Sequence, residues 1–222
     1  MHGEKKHGEP LTKYHKPGKV TKPGNLIRSL AVHVKGPSEL VSLQNLGVVL
    51  RDLKKIEGTM PEFLRSYGKR TAEQVLSEGK LIVAKGKADA GTGLIRIQDG
   101  EIPPIRGCVD VANVAIAVGR LLGMQAKFVR VYNHSFAMLK GEEIYLFDIS
   151  GTGFPKVLGK NSVVTLKEIT SDVKNLIGKY AAEGQVYQGV DAHHVGLRGL
   201  ETFYSPTNKK ARVKTFADLE LF

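Results

Sequence analysis

Arg106-Gly107-Cys108-Val109-Asp110-Val111-Ala112, running on to Leu121-Leu122-Gly123-Met124-Gln125-Ala126-Lys127-Phe128-Val129-Arg130-Val131, is the stretch around which the rest of the chain has to be arranged. From Cys108 onward, Val111, Ala112, Ala115, Ile116, Val118, Leu121 and Leu122 leave a helix apolar over most of its circumference. A helix of that kind is buried rather than laid on a surface. Gly123 ends it. The period then changes: Lys127 to Tyr132, Ser135 to Lys140 and Glu143 to Ile149 read as three strands, the last two joined by a turn at Lys140-Gly141-Glu142.

Upstream, residues 85–107 are glycine-rich and broken by Pro103-Pro104, and read as loops around one strand, Leu94 to Ile97. Gly91-Thr92-Gly93 lacks the Gly-Lys-Ser/Thr ending that a phosphate loop needs. Earlier still, Ser38-Glu39 precede Leu43, Leu46, Leu50, Leu53 and Ile56 at steps of three and four. This predicts an amphipathic helix ending before Gly58, with Lys54 and Lys55 in its last turn. A short helix is expected after Pro61. Another starts at Thr71, where Gln74 completes a capping box, and stops at Gly79; Lys80 to Ala84 is a strand. Downstream, Ser171 is read as the cap of a helix carrying Val173, Leu176, Ile177, Tyr180 and Ala181 and ending near Gly184. Residues 185–222 carry no periodicity that places them.

Residues 1–24 differ from the rest. They hold six lysines, two glutamates and three histidines among Pro10, Pro17-Gly18 and Pro23-Gly24. So few apolar groups predict a flexible basic arm. The expected organisation is that arm followed by one domain over 25–222. The domain comprises a helical part at about 37–79, a core at about 80–150 and a C-terminal elaboration over 151–222.

The chemistry converges on three residues. Cys108 opens the buried helix, where unpaired backbone N–H groups and the helix dipole favour thiolate, the nucleophilic form. Gly107 before it allows a close approach of backbone to substrate, and the Cys108 N–H would face a developing oxyanion. If the hairpin turns near Gly141, residues whose numbers sum to 282 face each other, and His134 with Asp148 meets that sum. A carboxylate so placed can hold one imidazole nitrogen and aim the other at the thiol. A polar pair at a hairpin rim, or a register shifted by one, is the plainer alternative. Asp110 suits the first helical turn more than the chemistry. His193-His194 after Asp191 lacks further ligands for a metal site.

The same residues resemble the transglutaminase-like superfamily. Shared with its pattern are the glycine-cysteine start, the acidic residue two past the cysteine, the alanine two further on and the Leu122-Gly123-Met124 helix exit. The later landmarks are His134-Ser135-Phe136-Ala137 and Tyr145-Leu146-Phe147-Asp148. The resemblance spans roughly residues 70–150. It implies an α+β, papain-like core with the nucleophile helix packed on an antiparallel β-sheet, and acyl transfer through a thioester by Cys108, His134 and Asp148. The chain has no tryptophan. Phe136 therefore stands where a tryptophan often follows the histidine, and a tryptophan oxyanion donor of the animal crosslinking type is excluded. Gln98 upstream of the cysteine and Asn133 beside His134 are the remaining oxyanion or substrate-binding candidates.

Composition sets the outer bounds. One cysteine in 222 residues excludes an intramolecular disulfide and a cysteine metal cluster. No apolar run reaches the ~18–20 residues of a membrane span. The charged start Met1-His2-Gly3-Glu4-Lys5-Lys6 is not a secretion signal, so a cytoplasmic location is expected. A net charge of +11 and a pI near 9.6 favour an anionic partner, nucleic acid or an acidic surface, met through the basic arm. The leading expectation is a cysteine peptidase or amidase with a protein or peptide substrate and no cofactor or metal. The alternatives are a protein-crosslinking acyl transferase and a catalytically retired fold serving as a basic binding module.

Overall fold

The computed structural model describes residues 12–57, 68–83, 87–88, 95–96, 107–132, 134–149, 163–199, 202 and 206–222. In chain order the elements are α1 (Asn25–Val34), α2 (Glu39–Asp52), β1 (Lys54–Glu57), α3 (Ala72–Glu78), β2 (Lys80–Val83), β3 (Lys87–Ala88), β4 (Ile95–Arg96) and α4 (Cys108–Leu121). They continue with β5 (Gln125–Val131), β6 (His134–Lys140), β7 (Ile144–Phe147), β8 (Val163–Thr165), α5 (Ser171–Ala182), β9 (Val186–Gly189) and α6 (Ala192–Val195). Five strands form one antiparallel sheet in the order β8-β7-β6-β5-β9. The class is α+β.

Strand alternation sorts the side chains into two cores. Ala126, Phe128, Ala137, Leu139, Tyr145 and Phe147 face α4, behind which lie α1, α2 and α3. Val129, Val131, Phe136, Met138 and Leu146 face α5 and the C-terminal segment. With a layer on each side, α4 is buried along nearly its whole length, as its sequence requires. It also lies very close to the sheet: a Cβ added at Gly119 would sit 2.0 Å from Leu139 Cδ2.

Several boundaries differ from the expectation, each for a stated reason. The second helix ends at Asp52, and Leu53 turns to ψ 132°. Lys54 and Lys55 therefore begin β1, paired in parallel with β2 at Lys54↔Lys80, rather than closing a helix. Pairing with a strand some 26 residues away overrode the local pattern. Thr170, not Ser171, is the N-cap of α5. Helix α1 and strand β9 were not anticipated. The Thr71 capping box and the left-handed Gly79 (φ 61°) are as read. The short helix after Pro61 and the loops holding Gly91-Thr92-Gly93 fall outside the described residues.

The flexible arm expected over residues 1–24 is not what residues 12–24 form. Residues 1–11 lie outside the described residues, but 12–24 are packed on the domain. Tyr14 and Val20 are buried. The Arg120 guanidinium donates to Tyr14 O (2.8 Å) and Thr21 Oγ1 (2.9 Å), and also to Ala126 O and Val190 O (both 2.7 Å). The Val20 N–H donates to Asp191 Oδ2 (2.8 Å), and Leu26 and Ile27 N–H groups donate to Glu73. A few well-placed polar groups hold a segment whose apolar content is too low to fold by burial alone. Among the described residues, no helix is long and apolar enough to cross a membrane.

Candidate active site

The site forms where the N-terminus of α4 meets the first residues of β6. Cys108 is the first residue of α4, after Gly107 (φ −66°, ψ 58°), and its thiol is buried. His134 opens β6 opposite Val131, directly after the β5–β6 turn. Tyr132 in that turn takes a left-handed φ of 51°, uncommon for a bulky residue. Its N–H donates to Gln185 O (2.9 Å) and its ring lies parallel to that of Tyr180 at 5.5 Å, which holds the turn in place.

His134 Nε2 and Asp148 Oδ2 are 2.7 Å apart. The two residues meet, though not by the register expected. The β6–β7 ladder pairs Lys140 with Ile144 and Ala137 with Phe147, so facing residues sum to 284. The turn therefore holds three residues, closed by Gly141 N–H donating to Glu143 O (3.0 Å). An offset of two keeps His134 and Asp148 on the same face as diagonal neighbours, and their side chains close the remaining gap. Asp148 is the residue that follows the last residue of β7, Phe147.

With Nε2 taken by the carboxylate, the other imidazole nitrogen is left for the thiol, and a hydrogen bond joins the Cys108 and His134 side chains. Burial alone would push the Cys108 thiol up. It is outweighed by the hydrogen bond and charge of His134, then by the charge of Arg130 and a hydrogen bond from the Ser135 backbone, and the thiol lies below its ordinary range. Burial would likewise lower His134, but the Asp148 carboxylate beside it, helped by Cys108, raises it to about 10. Both shifts favour one state, a thiolate beside an imidazolium.

Arg130 was not singled out by sequence reasoning. It is fully buried in β5, opposite Ser135 in the ladder, and its Nη1 donates to Ser135 Oγ (3.0 Å). Its signal was an arginine in the middle of a strand whose every position is buried. Asp110 does not face the thiol. It pairs with Arg70, whose Nη1 also donates to Glu78 Oε2 (2.7 Å). Burial raises its carboxyl against the pull of Arg70. The network ties the first turn of α4 to α3. Gln98 and Asn133 lie outside the described residues. His193 and His194 sit on α6, capped by Asp191, with His193 Nε2 3.4 Å from Lys19 Nζ. Among the described residues, no group of three histidine, cysteine, aspartate or glutamate side chains is arranged to hold a metal.

No family model matches the chain, and no curated protein matches it. Among solved structures it is similar to one described as a "putative cysteine protease" from Cytophaga hutchinsonii, at 14% identity and a TM-score of 0.44. The match covers 81% of this chain and 47% of that one, so the chain spans about half the length of that protein.

Proposed function

We propose that the chain is a thiol hydrolase of the transglutaminase-like type that cleaves amide bonds, in a peptide or a side chain, through a thioester. The observation that carries the reading is the ordered contact Cys108–His134–Asp148, with the imidazole held by the carboxylate on one side and by the thiol on the other.

The Cys108 thiolate attacks the carbonyl carbon of the amide, and the electron pair of the C=O moves to oxygen. The Cys108 N–H at the helix start faces that oxyanion. A second donor, for which Gln98 and Asn133 are the candidates, would come from residues outside those described. The imidazolium of His134 gives its proton to the leaving nitrogen, the C–N bond breaks and the amine departs. The thioester remains beside a neutral imidazole. His134 then takes a proton from water, whose oxygen attacks the thioester. The acid leaves and the thiolate–imidazolium pair is restored. Asp148 keeps the ring in the tautomer and orientation that both transfers need. Arg130 and Ser135 act on the pair indirectly, one as a fixed buried cation and the other through its backbone N–H.

The test is to incubate the protein and its Cys108→Ala variant with a peptide mixture, with and without hydroxylamine, and to follow the products by mass spectrometry. New carboxyl termini, replaced by hydroxamates in hydroxylamine and lost in Cys108→Ala, are expected. Isopeptide products formed with added amines in place of acids would turn the reading to acyl transfer. Neither product, together with an ordinary thiol at Cys108, would leave the retired fold as the reading.

A further inference from the structure

Helix α4 does not use the cap that its sequence offers. Gly107 has no side chain to close the first turn, and among the described residues no side chain caps it. The third helical position holds Asp110. A carboxylate there ordinarily reaches back to the backbone at the helix start, drawn by the dipole. Helix α3 shows the ordinary case. The Thr71 N–H donates to Oε1 of Gln74, its third residue, at 2.8 Å, and the Gln74 N–H donates to Thr71 Oγ1 at 3.1 Å. Asp110 does otherwise. Its Oδ2 accepts from Arg70 Nη2, and its Oδ1, shielded from solvent, finds no donor among the described residues.

Arg70 is fixed for that hold. It is buried just ahead of α3, and its Nη1 donates to Glu78 Oε2 (2.7 Å) at the last residue of that helix. Asp110 is therefore engaged from α3 instead of by the first N–H groups of its own helix. Those groups include the Cys108 N–H, which the thioester reading assigns to the oxyanion. A carboxylate lying over the first turn of α4 would fill the place of that oxyanion and repel it. Left without a cation two residues past Cys108, it would also oppose the thiolate. Arg70 answers both, by direction and by charge.

We propose, resting on the thioester reading, that Arg70 is a positioning residue: by engaging Asp110 it keeps the N–H groups at the start of α4 open to the oxyanion. The test separates two reactions of one thiol. Acylation of Cys108 by p-nitrophenyl acetate forms the C–S bond through an oxyanion and expels p-nitrophenolate, which needs no proton. Alkylation by iodoacetamide displaces iodide and forms no oxyanion. Both rates are read at their high-pH plateau, so that a shift of the thiol itself drops out. In Arg70→Met, acylation should fall by about 10²-fold while alkylation holds. Asp110→Ala should be acylated at the wild-type rate, and Arg70→Met with Asp110→Ala should regain it. Arg70→Lys, a milder change that keeps a cation beside Asp110, should show a smaller loss with the same rescue. In every variant the acid limb of alkylation should stay below the ordinary thiol range, which certifies that Cys108 and His134 still meet. Acylation untouched in Arg70→Met, or lost equally in Arg70→Met, Asp110→Ala and the double variant, would overturn the inference and leave the thioester reading standing. A wild type that is alkylated but never acylated would overturn both.

Discussion

Helix α4 and residues 12–24 both lie against the layer built on β5, yet they are held by opposite means. Helix α4 is held by area: nearly every side chain from Cys108 to Val118 is buried, and Gly119 brings the helix hard against Leu139. Residues 12–24 bury little beyond Tyr14, Val20 and Thr21, and are held by Arg120 and Asp191 acting on a few polar groups. The first kind of attachment is spread over many weak contacts and yields gradually. The second is concentrated in single atoms, so one substitution should release it. The candidate site draws on the first region, since the thiol is aimed by the helix and the imidazole by the sheet beneath it.

Predictions follow from that contrast in order of size. Removing the carboxylate with Asp148→Ala should slow the thiol chemistry of Cys108 by about 10²–10⁴ with little change in fold, read as the rate of thioester formation. Retained rates would detach Asp148 from the site. Arg120→Met deprives Tyr14 O, Ala126 O, Val190 O and Thr21 Oγ1 of a donor at once. It should cost on the order of 3 kcal/mol in denaturant unfolding. Hydrogen exchange should rise first in residues 12–24, and uniform exchange across the chain would erase the distinction between the regions.

Gly119→Ala tests the other mode. Its methyl meets the buried Leu139 side chain, so the expected cost is about 1–3 kcal/mol, with protection lost along α4 and β6 together. Asp191→Ala releases both Val20 N–H and the cap of α6, for about 1–2 kcal/mol, again felt mainly in the N-terminal segment. Thr71→Ala, which breaks a capping box on a solvent-facing turn, should cost about 1 kcal/mol and leave both regions as they were.

The same contrast explains what could be read from the residues alone. Apolar period made α4, β5 and β6 legible, and the capping chemistry of Thr71 and Gly79 marked α3. The hairpin gave the right pair for an imperfect reason. The turn was centred one residue too early, at Gly141 instead of Glu142, and only the two-residue parity of strands kept His134 and Asp148 on one face. What stayed hidden depends on partners distant in sequence. Lys54–Glu57 looks helical until β2 is beside it. The hold on residues 12–24 comes from Arg120 and Asp191, whose letters say nothing of what they will bind. Arg130 read as one more strand residue, although its buried charge bears on the thiol.

The central claim is that Cys108 and His134 form a thiolate–imidazolium pair, and the pH dependence of Cys108 alkylation tests it most directly. In the wild type the acid limb should lie well below the ordinary thiol range. In His134→Ala, where burial opposes only Arg130 and Ser135, the limb should move upward and the rate at neutral pH should fall. A wild-type thiol that titrates as an ordinary cysteine, with a profile unchanged in His134→Ala, would contradict the account.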